Sequence, residues 1–260
     1  MTTAPTNVWL EVFPGPRIPD ILAYVAETWN WLHQNLATTV AFHRDETELT
    51  DNLCEALEDA DRRRVRGIDC DFQAETWELR RKADGSTTRI ARADIRVILG
   101  APGTPHLVIE FKKLDGTGDG RWRYCFDGMN RFVEGKYAVG HAHGVMCGFS
   151  PNDLAAEAGA LATYIAQKEY ARRLCCIANG TGQVVTVPSQ VDPACVRFDT
   201  HHDRSGAGAG KPILLLHTLL PCPQPQQPRQ RRKANPTCAE STPVTKQINE
   251  LVEKLALHFW

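Results

Sequence analysis

"RADIRVILGAPGTPHLVIEFKKL", Arg92 to Leu114, holds two apolar segments that carry charge where buried strands are ordinarily apolar. Asp94 interrupts the first, and Glu110 and Lys112 close the second. Burying unpaired charge is costly, so charges kept in such strands call for a partner or a task. Alternation in the first segment sets Ala91, Ala93, Ile95, Val97 and Leu99 on one face. Arg92, Asp94, Arg96 and Ile98 take the other. In the second segment Glu110 and Lys112 lie two apart and share a face, while Phe111 and Lys113 point the opposite way. Pairing the two strands brings Asp94, Glu110 and Lys112 onto one patch.

The flanking sequence agrees with this placement. "DFQAETWELR" and "TTRIARADIRVILG" border the turn "KADGS" and predict an antiparallel hairpin. "PHLVIEFKKL" predicts a central strand. Upstream, residues 18–40 carry Ile21, Val25, Trp29, Leu32 and Leu36 at helical spacing. "RDETELTDNLCEALEDADRRR" predicts a second helix with Asp45 as N-cap, Glu48 closing a capping box, and a core stripe of Leu49, Leu53 and Leu57 beside Ala56. Downstream, "RWRYCFDGMNRFVEGKYAV" predicts helix and "GVMCGFS" a short strand. "PNDLAAEAGALATYIAQKEYARRL" predicts one further helix and "PILLLHTLL" a late buried strand. The order α-α-β-β-β-α-β-α-β describes a mixed α/β domain with a helical N-terminal layer. It spans residues 1–220, with helices in 18–60 and the hairpin and strand in 72–114. A Pro/Gln/basic linker, 221–243, leads to an amphipathic C-terminal helix, 244–260.

The 260 residues carry a formal net charge of -1, so an anionic partner must be met by a local patch. The nine cysteines are scattered and free of CxxC pairs, which argues against a disulfide framework or zinc ribbon and for a reducing compartment. No signal peptide is read at the N-terminus and no apolar run has the length of a membrane span. The expectation is a cytoplasmic protein without membrane contact.

Two carboxylates on neighbouring strands suit one or two hard divalent cations. Such a metal lowers the pKa of bound water and offsets charge in a phosphoryl transition state. A lysine beside it orients or activates the water, or stabilises the developing charge. On "RADIRVIL" with Asp94 and "LVIEFKK" with Glu110 and Lys112, the chain resembles the PD-(D/E)XK nuclease superfamily, the restriction-endonuclease-like fold. Ala93 stands where that pattern nominally has proline. The resemblance covers roughly residues 45–150 as element order. It implies a mixed central sheet flanked by helices, with Mg²⁺ or Mn²⁺ held by Asp94 and Glu110, and Lys112 acting on water. It also implies another metal-binding acid on the preceding helix. Glu46, on the side of Leu49 and Leu53, is taken for that role, with Glu48 in reserve. The function implied is hydrolysis of DNA phosphodiester bonds, by an effector of bacterial restriction or anti-phage defence gated by a partner, with a homo-oligomer or a partner protein as the expected assembly. RNA shares the same scissile chemistry.

The Gly-rich loop "LDGTGDGRWR" lacks the GK[ST] of a P-loop, which leaves a flexible turn or a phosphate contact through Arg121 and Arg123. Arg131 and Lys136, on the helix beyond, read first as a solvated helix face and second as an extension of a basic track, and Arg121, Arg123 and Arg131 are the expected substrate contacts. Trp77 and Trp122 are expected to pack in the core. His141, His143 and Cys147, with His201, His202 and Arg204, lack the usual zinc spacing and are expected to be satisfied or solvated. "PRQRRK" (228–233) reads as a solvated tether that adds nonspecific affinity. Two other classes remain: a catalytically inactive module of the same fold that holds a partner through its C-terminal helix, and a zinc hydrolase built on the histidines.

Overall fold

The period-two segments all become strands in the computed structural model, which describes residues 13–81, 86–100, 106–207 and 211–223. These residues fall within the unit Met1–Pro225; the basic tether and the C-terminal helix expected from the sequence lie outside them. β1 (Asp71–Arg81), β2 (Thr87–Ile98), β3 (His106–Lys113), β4 (His143–Ser150) and β8 (Ile213–Pro221) are the strands expected from the sequence. β5 (Cys176–Ile177), β6 (Val185–Thr186) and β7 (Phe198–His202) are additional. Together they form a mixed eight-stranded sheet in the order β1-β2-β3-β4-β8-β7-β5, with β6 beside β7. β1, β2 and β3 run antiparallel in succession. β3, β4 and β8 are parallel neighbours at the centre.

Alternation along these central strands feeds two cores. Ile109 and Phe111 of β3 join Val145, Cys147 and Phe149 of β4 and Leu216 and Leu220 of β8. Helices α1 (Ile18–Asn35) and α2 (Glu46–Leu57) cover this face with Ile21, Val25, Trp29, Leu49 and Leu53. On the other face Val108, Met146, Leu215 and Leu219 meet a helical run from Gly118 to Val133 and helix α6 (Leu154–Ile165). The run comprises α4 (Gly118–Arg123), a π-helical segment (Tyr124–Met129) and α5 (Asn130–Val133). The chain is therefore an α/β protein with a mixed sheet flanked by helices. Among the described residues no helix is long and apolar enough to cross a membrane.

Three helix boundaries differ from the sequence reading. α1 stops at Asn35, so Leu36 leaves the stripe and is 46% exposed. The second helix breaks after Leu57, and Asp59 caps a separate α3 (Ala60–Arg66) through the Arg62 N–H. The helix expected from Leu154 onward is two, α6 and α7 (Lys168–Arg173), separated at Ala166 and Gln167.

The histidines of the "THH" and "LLHT" segments belong to the core. His202 and His217 are fully buried. His202 Nδ1 lies 2.7 Å from the Leu174 carbonyl, which can only accept, so this nitrogen carries the proton. Its Nε2 then accepts from Thr200 Oγ1 at 2.7 Å. The same hydroxyl oxygen accepts from His217 Nε2 at 2.8 Å, leaving His217 Nδ1 to accept from Tyr124 at 3.0 Å. One consistent set of protons satisfies four buried side chains with both rings neutral. Burial holds both histidines below their ordinary pKa, His202 at about 4.

Gly144 of β4 seats α5 on the sheet. A Cβ there would lie 2.6 Å from the Phe132 ring and 3.0 Å from Leu215. Phe132 is fully buried and has no room to yield. Gly144→Ala is expected to cost about 1–3 kcal/mol, the usual penalty for overpacking a core, read from urea unfolding midpoints.

Candidate active site

The site forms where the β2–β3 ladder opens. That ladder runs from Ile98–His106 to Ile95–Ile109 and stops one step before Asp94 would face Glu110. The β1–β2 register likewise omits the pair between Ala74–Ile95 and Thr76–Ala93, which would join Glu75 to Asp94. Glu75 has φ +50°, a left-handed conformation that side chains rarely adopt. β2 changes sides at this point. Ile95 and Val97 enter the core under α1 and α2, whereas Ala93 enters the opposite core and Ala91 packs against it. Simple alternation had placed all four on one face; the irregularity at Asp94 corrects it. Irregular ladders re-aim side chains, and here Asp94 Oδ2 accepts the Phe111 N–H at 2.7 Å.

Glu110 and Lys112 share a face of β3 as their spacing requires. Glu110 is 0% exposed and Lys112 7%. The three ammonium donors of Lys112 have three acceptors: Glu46 Oε1 at 2.7 Å, Glu110 Oε1 at 3.0 Å and the Phe111 carbonyl at 2.6 Å. Glu46 reaches them from the first turn of α2 and accepts the Lys113 N–H through Oε2 at 2.9 Å. Glu48 instead closes the capping box of α2, accepting the Asp45 N–H. Glu46 is thus the acid brought to the cluster, but both its oxygens are engaged by β3. Among the described residues no three His, Cys, Asp or Glu side chains form a metal-ligating group. Glu46, expected as a ligand, is placed to orient Lys112.

The basic residues divide. Arg131 Nη1 donates to Glu110 Oε1 at 2.9 Å and to the Tyr137 hydroxyl at 2.7 Å. Tyr137, fully buried, donates in turn to the Arg92 carbonyl of β2. Arg123 lines a cleft of about 460 Å³ together with Glu46, Lys112, Phe126, Asn130 and Arg131. Arg121 does not join them: its Nε is bonded to the buried Glu157 at 3.0 Å, which withdraws it as a substrate contact. Lys136 lines the cleft but pairs with Glu134 at 2.6 Å. His141, His143 and Cys147 assemble no metal-ligating group, Cys147 being fully buried on the opposite core face. His201 is exposed while His202 points inward.

Sequence reasoning missed Tyr137, Asn130 and Phe126, which carry no local signature. One signal was present. Gly128 interrupts a helical pattern, and a glycine there often marks a packing need. Its missing Cβ would fall 2.6 Å from Met146 Cε and 3.4 Å from Lys112 Cγ, so the π-helical segment lies directly over the lysine.

The electrostatics set the chemistry. Burial, with Asp94 nearby, pushes Glu110 up to about 8. Burial also raises Asp94. Burial alone would lower Lys112, but Glu110, Asp94 and Glu46 together lift it above its ordinary value. Lys112 is therefore a cation that donates hydrogen bonds; it is not a free base. Glu110 Oε2 is buried without a partner, facing neither Lys112 nor Arg131. Asp94 and Glu110 are the oxygen donors here that could hold a hard divalent cation, which typically takes one or two protein carboxylates.

A raised Glu110 has a consequence for stability. Between its ordinary value of 4.5 and about 8 the folded chain keeps a proton that the unfolded chain has lost. Its contribution is fully present below 4.5 and is lost as pH rises through 8. The melting temperature of Glu110→Gln relative to wild type, in EDTA, is expected to rise between pH 5 and pH 9, by about 3 °C or more. A constant difference across that range would contradict the burial of this charge. Comparison of the chain with protein-family models, curated proteins and solved structures finds no match.

Proposed function

We propose that this chain is a Mg²⁺- or Mn²⁺-dependent nuclease of the restriction-endonuclease-like fold that hydrolyses DNA phosphodiester bonds at the Asp94–Glu110–Lys112 cluster. The single observation that carries the reading is Glu110, a fully buried carboxylate set beside Asp94, with one oxygen held by two cations and the other unpartnered. A structural ion pair would gain by satisfying both oxygens; a carboxylate kept half-satisfied is suited to a ligand. Asp94 and Glu110 would hold the metal, which when bound supplies a water of lowered pKa and a countercharge for the phosphorane-like transition state. Lys112, kept a cation by Glu110, Asp94 and Glu46 together, donates hydrogen bonds to the attacking water or to a non-bridging phosphate oxygen. Arg131, on the other side of Glu110, offers a second cation to the phosphate and is held in place by Tyr137. The setting of restriction or anti-phage defence, with gating by a partner, is supported by the resemblance alone.

Supercoiled plasmid tests the reading. Wild type with Mg²⁺ or Mn²⁺ is expected to nick or linearise it, and EDTA to abolish the reaction. Lys112→Ala is expected to lower the rate by about 100-fold or more, the cost typical of removing one transition-state donor. Cleavage that survives Lys112→Ala would remove the site from this cluster. Folded wild type that never cleaves would favour the inactive binding module.

A further inference from the structure

We infer that Arg131 and a divalent cation compete for Glu110, so that binding the cation turns the Arg131 guanidinium out toward a phosphate in the cleft; the inference rests on the nuclease reading. Two side-chain cations share Glu110 Oε1, Lys112 Nζ at 3.0 Å and Arg131 Nη1 at 2.9 Å. They are held differently. Lys112 is 7% exposed, and its other two donors go to Glu46 and the Phe111 carbonyl, so moving it would break three bonds at once. Arg131 stands on α5 at the cleft wall with its side chain 36% exposed. A single nitrogen, Nη1, makes both of its side-chain hydrogen bonds, to Glu110 and to the Tyr137 hydroxyl. Nε and Nη2 bond to no described residue and are not sealed from solvent. The guanidinium can therefore give up Glu110 and keep Tyr137, which is itself fixed to the Arg92 carbonyl.

Charge drives the exchange. A divalent cation on Glu110 would share a carboxylate with Arg131, and like charges that close repel strongly where water is scarce. Lys112 meets the same repulsion, but Glu46 and the Phe111 carbonyl hold it in compensation. Arg131 has only the neutral Tyr137. The acids lining the cleft offer the freed guanidinium little. Glu46 is engaged by β3, and Glu134 by Lys136 and Asn130. Asp127 remains, an exposed carboxylate that water screens. A phosphate presented at the cluster is the stronger partner, since a planar guanidinium grips it through two N–H groups at once. Metal and DNA would then tighten one another, as any two coupled ligands must.

Arg131→Gln, which removes the charge and keeps an amide donor, tests the exchange on the full chain through two readouts of opposite sign. Calorimetric titration with Mn²⁺ at pH 7 is expected to show binding about fivefold tighter than wild type, or more. That sign holds whether or not Glu110 carries a proton, because a dication repels the guanidinium about twice as strongly as a proton at the same place. Arg131→Lys, which keeps the charge, should bind Mn²⁺ like wild type. Anisotropy of a labelled duplex of about 20 base pairs gives the second readout. In EDTA Arg131 stays on Glu110, and Arg131→Gln should bind the duplex like wild type. In Ca²⁺ it should bind about tenfold more weakly, with a salt slope smaller by about one. Mn²⁺ affinity at or below wild type in Arg131→Gln of unchanged circular dichroism would overturn the exchange. So would duplex binding that weakens equally in EDTA and in Ca²⁺. Plasmid cleavage reads the nuclease separately. Both effects without cleavage keep the exchange and remove the nuclease, whereas cleavage with Mn²⁺ affinity unmoved by Arg131→Gln removes the exchange alone. Folded wild type that binds no Mn²⁺ overturns both.

Discussion

The burial of Glu110 beside Asp94 is the constraint around which the rest of the site is arranged. A carboxylate without water must be protonated, paired or ligated, and each alternative costs the fold something. Lys112 and Arg131 approach one oxygen and leave the other bare. Lys112, 7% exposed, is kept a cation by Glu110, Asp94 and Glu46, the last of which also accepts its hydrogen bond. This explains why α2 begins where it does: its capping box uses Asp45 and Glu48, which frees Glu46 to point at the end of β3.

A longer chain of contacts supports Arg131. Tyr137 links it to the Arg92 carbonyl, and the turn that carries Tyr137 is fastened by Arg204. Arg204, 1% exposed, donates to the carbonyls of Tyr137, Ala138 and His141 at 3.3, 3.0 and 3.0 Å. A buried arginine satisfied by carbonyls alone is a rigid clamp, because its planar fork fixes several backbone groups at once. From beneath, the neutral Tyr124–His217–Thr200–His202 chain fastens the π-helical segment to β7 and β8. Rigid elements of this kind are what hold charged side chains in a productive arrangement.

The strand pair and its charges were legible in the sequence because period two determines faces wherever a strand is regular. Glu110 and Lys112 on β3 are the example, and the helical stripe that chose Glu46 over Glu48 is another. Asp94 was legible as a residue but not as a geometry. The break in both ladders depends on the left-handed Glu75 across the hairpin, which periodicity does not report. Arg121 was misread because its partner, Glu157, lies 36 residues away on a different helix. Trp122, 39% exposed on α4, was misread for the opposite reason, since composition favours burial of tryptophan and nothing local says that the chain leaves it outside. The short strands β5 to β7 have too few residues to display a period at all.

Calorimetric titration of the folded chain with Mn²⁺ at pH 7, in two buffers of different ionisation enthalpy, addresses the central claim most directly. If Asp94 and Glu110 form a cation site, binding is millimolar or tighter and releases a proton as Glu110 ionises. Asp94→Ala and Glu110→Gln should each abolish it. Absence of binding by folded wild type, or binding that both variants retain, would contradict the assignment of this cluster as a metal centre.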